Sequence, residues 1–228
     1  MTYILGYPGS GTRWAARTLC GGKEDFAQEP FSRDKDGGLL AGYYPERMEQ
    51  AQKTLARAIK GLPPGTRMVK EEFAVPYHMR LLREDDHRQA YIRRDTLGNV
   101  AFLKQWKALH NWMWYFEGLV HEGGEWASDL WPDDVPFDNV PCLLAVAHEV
   151  QLKHDLAAAK ERGVPVFRYE HLCDNWEDEF GGLCDVLRLD YTSTIREYAS
   201  QTHEAPVFPL DEQTTSWVQE ITRRAGND

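Results

Sequence analysis

The chain alternates between short apolar runs and longer stretches in which apolar residues recur every three or four positions. Residues 3–7, YILGY, read as a short buried strand, and residues 12–20 as the helix behind it. Segment 25–31, DFAQEPF, is a weak second strand or an extended segment, and 32–46 is a charged, glycine-rich loop. Residues 45–61 carry a helical period, with Pro45 suited to the first turn and Gly61 to the end. PPG then turns the chain into a strand over 66–73. A short helix over 75–84, a strand over 88–94 and a long helical stretch over 97–118 follow. Residues 121–141, with three prolines in WPDDVPFDNVP, read as loop. A helix over 143–163 ended by Gly163, a strand over 164–170, a helix over 176–189 and a last helix over 211–226 complete the pattern. No internal repeat or low-complexity segment interrupts it. Alternating strands and helices predict a three-layer α/β fold, a central, mostly parallel sheet with helices on both faces. Ligands of such sheets sit beyond the carboxyl ends of the strands.

The turn between the first strand and its helix stands at such an end. Gly6, Gly9 and Gly11 permit positive-φ backbone and close approach to a ligand. Inward-pointing N–H groups and the following helix N-terminus make an anion site, to which Ser10 and Thr12 add hydroxyl donors. A nucleotide triphosphatase would carry a lysine directly after Gly11, and Thr12 stands there. A P-loop kinase or NTPase is therefore the alternative reading rather than the first.

Composition narrows the classes. At 228 residues the chain is most simply one domain, 1–228. Its 42% hydrophobic and 12% aromatic content exclude disorder. A net charge of −10 opposes nucleic acid and anionic membranes as general partners. No apolar run approaches the roughly 20 residues that span a bilayer. Cys20, Cys142, Cys173 and Cys184 form no C-x-x-C pair, so they read as reduced thiols of a cytoplasmic protein rather than zinc ligands. The glycine loop begins almost at Met1, where a secretory leader would otherwise stand.

YPGSGTRW (7–14) resembles the 5′-phosphosulfate loop of the sulfotransferases, which typically reads YPKSGTTW. Tyr7, Pro8, Ser10, Gly11, Thr12 and Trp14 stand at matching places. Gly9 replaces the family's lysine, and Arg13, four positions on, replaces a neutral residue and could restore the missing cation. RMVKEEF (67–73) resembles the family's strand ending in lysine, threonine, histidine. Lys70 then matches the lysine, and Glu72 the catalytic histidine of cytosolic members. AYIRRDTLGNV (90–100) resembles the 3′-phosphate strand and loop, with Arg94 as the gripping arginine and Phe102 where a serine is expected. In VFRYEHL (166–172), Tyr169 matches a residue near the adenine, and Glu170 and Leu172 fit the pattern. FAQEPF resembles an EP element of carbohydrate sulfotransferases, which sets Glu29 close to an acceptor. A basic C-terminal segment of the cytosolic members is not visible. Arg223 and Arg224 could substitute for it, although a charged helix end also explains them.

The resemblance covers most of residues 3–190. It implies 3′-phosphoadenosine 5′-phosphosulfate (PAPS) as co-substrate, bound by Gly9, Ser10, Gly11, Thr12, Arg13, Trp14, Arg94 and Tyr169. No metal is required, and the acceptor is a small-molecule or glycan hydroxyl. A non-catalytic nucleotide-binding homologue is the second alternative. Transfer needs a base for the acceptor proton and a cation for the leaving oxygen. Glu72 and Glu29 are the two candidate bases, and Lys70 the cation. On a strand Glu71 and Glu72 point to opposite faces, so at most one of them faces a given cleft. His78, His110 and His121 are placed by no motif. Trp106, Trp112, Trp114, Tyr115 and Phe116 are too many rings for one helix face, so some are core and others line a pocket. The loop with Trp126 and Trp131 could cover the acceptor. The acceptor's identity and the oligomeric state, a homodimer included, stay open at this point.

Overall fold

In the computed structural model, which describes residues 1–28, 48–72, 79–80, 82, 87–204, 206 and 208–226, five strands form one parallel sheet. They are β1 (Thr2–Gly6), β2 (Ala27–Gln28), β3 (Met68–Glu71), β4 (Arg88–Arg93) and β5 (Val166–Arg168), in the order β2-β3-β1-β4-β5. The helices are α1 (Thr12–Leu19), α2 (Met48–Lys60), α3 (Thr96–Gln105), α4 (Leu109–Leu130), α5 (Val140–Arg162), α6 (Tyr169–Asp174), α7 (Trp176–Leu187), α8 (Ser193–Thr202) and α9 (Glu212–Ala225). Glu29, His78 and the expected loop over 32–46 lie outside the described residues.

The chain builds β2 and β3 to one side of β1 and then resumes on the other side with β4 and β5. The winding direction therefore reverses at β1, and the loop after Gly6 opens at that switch point.

Strand alternation sorts the sheet into two faces. Ile4 lies level with Lys70 on one side and Ala90 on the other, so Ile4, Met68, Lys70, Ala90 and Ile92 share a face. Tyr3, Leu5, Val69, Glu71, Gln89 and Tyr91 share the opposite one, and both sets are buried. Burial on both faces is what parallel strands require. The Ile4 face belongs to a core with Ala15 and Leu19 of α1, Leu172 of α6, Phe180, Leu183 and Leu187 of α7, and Ile195 of α8. Burying a side chain such as Phe180 contributes about 1.5–3 kcal/mol.

The described residues fall into two compact units. The first, Met1–Arg93 with Ala157–Ala205, contains the whole sheet. The second, Arg94–Leu156 with Pro206–Asp228, is helical, with α9 packed on α3 and α4. Its core includes Val100, Leu103, Tyr115, Phe116, Leu119, Val218 and Ile221. A polar seam runs through it along α5. Thr96 donates its hydroxyl proton to Glu149, and its oxygen lies 3.0 Å from His148 Nδ1. Tyr115 donates to Gln151 at 2.7 Å, and Gln151 to Asp155 at 3.2 Å.

Several boundaries differ from the sequence reading. The long helix breaks at Trp106, whose backbone is extended, and resumes as α4. That helix runs through Gly123 and Gly124 to Leu130, across residues expected to be loop. A β-carbon at Gly123 would sit 2.6 Å from Ala127 and 2.7 Å from Val150, so this glycine is a close-packing contact. Gly124, at φ 55° and ψ −134°, kinks the helix without ending it. Trp126 and Trp131 therefore do not belong to an open loop. Lys153 lies 3.9 Å over the Trp126 ring, and the buried Trp131 indole donates to the Val135 carbonyl at 2.9 Å. Helix α5 starts ahead of the expected 143 because Asn139 caps the Cys142 N–H at 3.1 Å. The strand over 164–170 is cut to three residues, and Tyr169 opens α6 instead. Helix α8, capped by Thr192, falls in a stretch to which periodicity assigned nothing.

Candidate active site

The loop turns tightly at the end of β1. Ser10 N–H bonds the Tyr7 carbonyl at 2.9 Å, and Gly9 takes φ 86°. Gly11 caps α1 at φ 88° and offers no side-chain cap. The first turn of α1 holds no acidic residue, so the positive end of its dipole is not countered from within the helix. Gly6 has to lack a side chain, since a β-carbon there would meet the Ile92 carbonyl and the Thr12 methyl, each at 2.6 Å. The Ser10 hydroxyl is fully buried and has no hydrogen-bond partner among the described residues. An unsatisfied buried hydroxyl beside a helix N-terminus whose own first turn carries no acid is suited to an anion.

Beside the loop, β3 delivers a charged pair. Lys70 faces the α1 side of the sheet, and Glu72, two residues on, faces the same way. Lys70 Nζ lies 2.9 Å from Glu72 Oε1, with the side chains only 4% and 13% exposed. Thr12, the first residue of α1, donates its hydroxyl to that same oxygen. Glu71 points to the opposite face, is fully buried, and accepts the Glu72 N–H at 3.0 Å. Pairing a buried lysine with a carboxylate avoids the large cost of an isolated buried charge.

An aromatic wall flanks the loop. The Tyr169 ring lies directly against Gly11, where a β-carbon would collide with it. Trp14 stands edge-on to Tyr169 at 5.6 Å and to Phe180 at 5.2 Å. Its indole N–H is held by Thr202 Oγ1 at 3.0 Å. Thr202 belongs to α8 and lies 188 residues along the chain. Nothing in the sequence pattern signals that contact.

Gly9, Ser10, Gly11, Thr12, Trp14, Lys70, Glu72 and Tyr169 thus converge around one loop. Arg13 does not face it in the same way: its guanidinium is exposed and pairs with Glu24 at 2.5 Å, holding the Glu24 carboxyl below its ordinary range. Glu29 follows β2 in sequence but lies outside the described residues.

In the second unit, Arg94, the residue after β4, is buried, with its guanidinium 5.9 Å over the Phe102 ring. Phe102 thus stacks on the arginine instead of hydrogen-bonding beside it. Arg94 lines a pocket of about 300 Å³ together with Asp95, Leu97, Gly98, Ala101 and Phe208.

The remaining candidates have structural settings. The rings of Trp106, Trp112 and Trp114 stack in series at 6.4 and 6.1 Å, while Tyr115 and Phe116 are core. Arg223 and Arg224 both pair with Glu220 at the end of α9. All four cysteines are thiols, and burial pushes those of Cys142 and Cys184 up to about 11. Among the described residues, no three His, Cys, Asp or Glu side chains gather as metal ligands, and no helix is long and apolar enough to cross a membrane.

No protein-family model and no curated protein sequence matches this chain. Solved structures similar to it include two sulfotransferase domains. A sulfotransferase domain from the curacin biosynthetic pathway superposes with a TM-score of 0.51 at 13% identity, over 100% of this chain and 98% of that one. A sulfotransferase domain from the Synechococcus PCC 7002 olefin synthase reaches a TM-score of 0.43 at 11% identity, over 99% and 93%. The α/β architecture of this chain is the sulfotransferase fold.

Proposed function

We propose that this chain is a PAPS-dependent sulfotransferase that passes a sulfuryl group to the hydroxyl of a carbohydrate or another small alcohol or phenol. The observation that carries the reading is the convergence of Thr12, Lys70 and Glu72 beside a glycine loop at the sheet's switch point. The loop N–H groups and the α1 N-terminus take the 5′-phosphosulfate. Arg94 takes the 3′-phosphate, and Trp14 and Tyr169 flank the adenine. The acceptor O–H gives its proton to the Glu72 carboxylate while its oxygen bonds to sulfur. The bond from sulfur to the phosphate oxygen breaks, and that oxygen keeps the electron pair. The growing charge is met by loop N–H groups and Lys70, in the manner of other in-line transfers. Lys70 replaces the cation that Gly9 does not provide.

Binding is read by thermal shift. Adenosine 3′,5′-bisphosphate at a hundredfold excess over its Kd stabilises by about 2.7 kcal/mol. For a chain of this length that is roughly 5–11 °C. ATP with magnesium should give no shift. Arg94→Ala should weaken the bisphosphate by about 10–100-fold, from the loss of charge-assisted hydrogen bonds, and leave adenosine 5′-phosphosulfate little changed. Turnover of PAPS against an acceptor panel, lost in Glu72→Ala, completes the test. No shift with the bisphosphate would overturn the reading.

A further inference from the structure

Thr12 and Lys70 both engage one carboxylate oxygen, Glu72 Oε1. A threonine hydroxyl has a single proton to donate. While that proton lies on Glu72, it cannot also serve a phosphate in the loop. The Lys70 ammonium has three donors, but its charge is already countered at 2.9 Å. Glu72 therefore occupies, from inside the protein, groups that an anion in the adjoining loop would use.

We propose that Glu72 is an internal stand-in for the bound anion and that Thr12 is the positioning residue that keeps it there. This rests on reading the loop as the phosphosulfate site. When the donor enters, its oxygens draw the Thr12 hydroxyl and Lys70 away from Glu72. The carboxylate then loses the Thr12 and Lys70 donors and becomes the more basic for it. The acceptor's proton is taken only once the sulfuryl donor is seated. Without donor, Thr12 and Lys70 both occupy Glu72 Oε1 and leave it less open to an incoming proton. Glu71 does not share this role, because it faces the other side of the sheet and accepts the Glu72 N–H instead.

Competition of this kind has a signature that a structural ion pair lacks. Removing Glu72 should tighten binding of adenosine 3′,5′-bisphosphate, at least threefold, because its competitor is gone. Thr12→Val should cost less than threefold in the wild-type background, where the hydroxyl must first be withdrawn from Glu72. In the Glu72→Ala background the same change should cost about tenfold, and Thr12→Ser should restore affinity in both. Calorimetric titration of the wild type, both single variants and the double variant closes the cycle. Glu72→Gln is the second variant if Glu72→Ala does not fold, as judged by circular dichroism. Tighter binding with a Thr12 effect that is equal in both backgrounds reports only removal of a nearby negative charge and overturns the stand-in role. Weaker binding in the Glu72 variants overturns it as well. Either result leaves the loop assignment standing. Absence of bisphosphate binding in the folded wild type defeats the sulfotransferase reading itself, and the stand-in role with it.

Discussion

Gly11→Ala probes the contact that sets the shape of the loop. Two costs add in this variant. The residue holds φ 88°, ψ 8°, a left-handed conformation that costs an alanine about 1–2 kcal/mol. The new methyl is also driven into the Tyr169 ring, which is itself packed edge-on against Trp14 at 5.6 Å. Overpacking of that kind costs about 1–3 kcal/mol. The sum, about 2–5 kcal/mol, corresponds to a melting temperature lower by roughly 4–20 °C in a chain of this size. Gly163→Ala is the internal control. It also has positive φ, at 65°, but a β-carbon there meets nothing within 4 Å. Only the first cost applies, so its loss should be roughly 2–8 °C. Differential scanning calorimetry on both variants separates the two terms. In a Tyr169→Leu background the Gly11→Ala loss should shrink toward that of Gly163→Ala, a coupling of about 1–3 kcal/mol. Equal losses for the two glycine variants, with no coupling to Tyr169, would refute the packing of that ring on the loop.

Two further outcomes follow from contacts elsewhere in the sheet-bearing unit and from the thiols. Thr202→Val leaves the Trp14 indole N–H without its acceptor and should cost about 1–3 kcal/mol in urea unfolding, with a change in Trp fluorescence; an unchanged midpoint would place that N–H in water. Burial raises Cys142 and Cys184 from 9.0 to about 11, and Tyr3 from 10.0 to about 12. The folded state therefore holds these protons more tightly than the unfolded chain. Their contribution is fully present below pH 9 and is lost as pH rises through 11 and 12, so the melting temperature should fall over that window. Replacing both cysteines by alanine should flatten the lower part of the fall, and an identical alkaline profile in that variant would refute the assignment.

What the sequence could disclose was local. A strand, three glycines and a helix lie within twenty residues, so their order and spacing are visible in the sequence, and with them the glycine turn that follows β1. Glu72 comes directly after β3, two residues beyond Lys70, so a common face follows if the extended pleat continues one residue past the strand. The alternation of strands and helices was likewise enough for the α/β class. The rest depended on encounters between distant segments. That β1 is central, with its neighbours drawn from residues 68–71 and 88–93, follows from pairing register, which no single strand encodes. Thr12 meets Glu72 across sixty residues because α1 packs against β3, and Trp14 meets Thr202 across 188 because α1 and α8 share one core. Gly123 read as a breaker, yet its missing side chain lets Val150 approach, a property of the partner rather than of the glycine. Local order is written in spacing, whereas the hydrogen-bond partner of a buried group is decided only when the core closes and water is excluded, since then each donor must find whichever acceptor the packing has brought within reach.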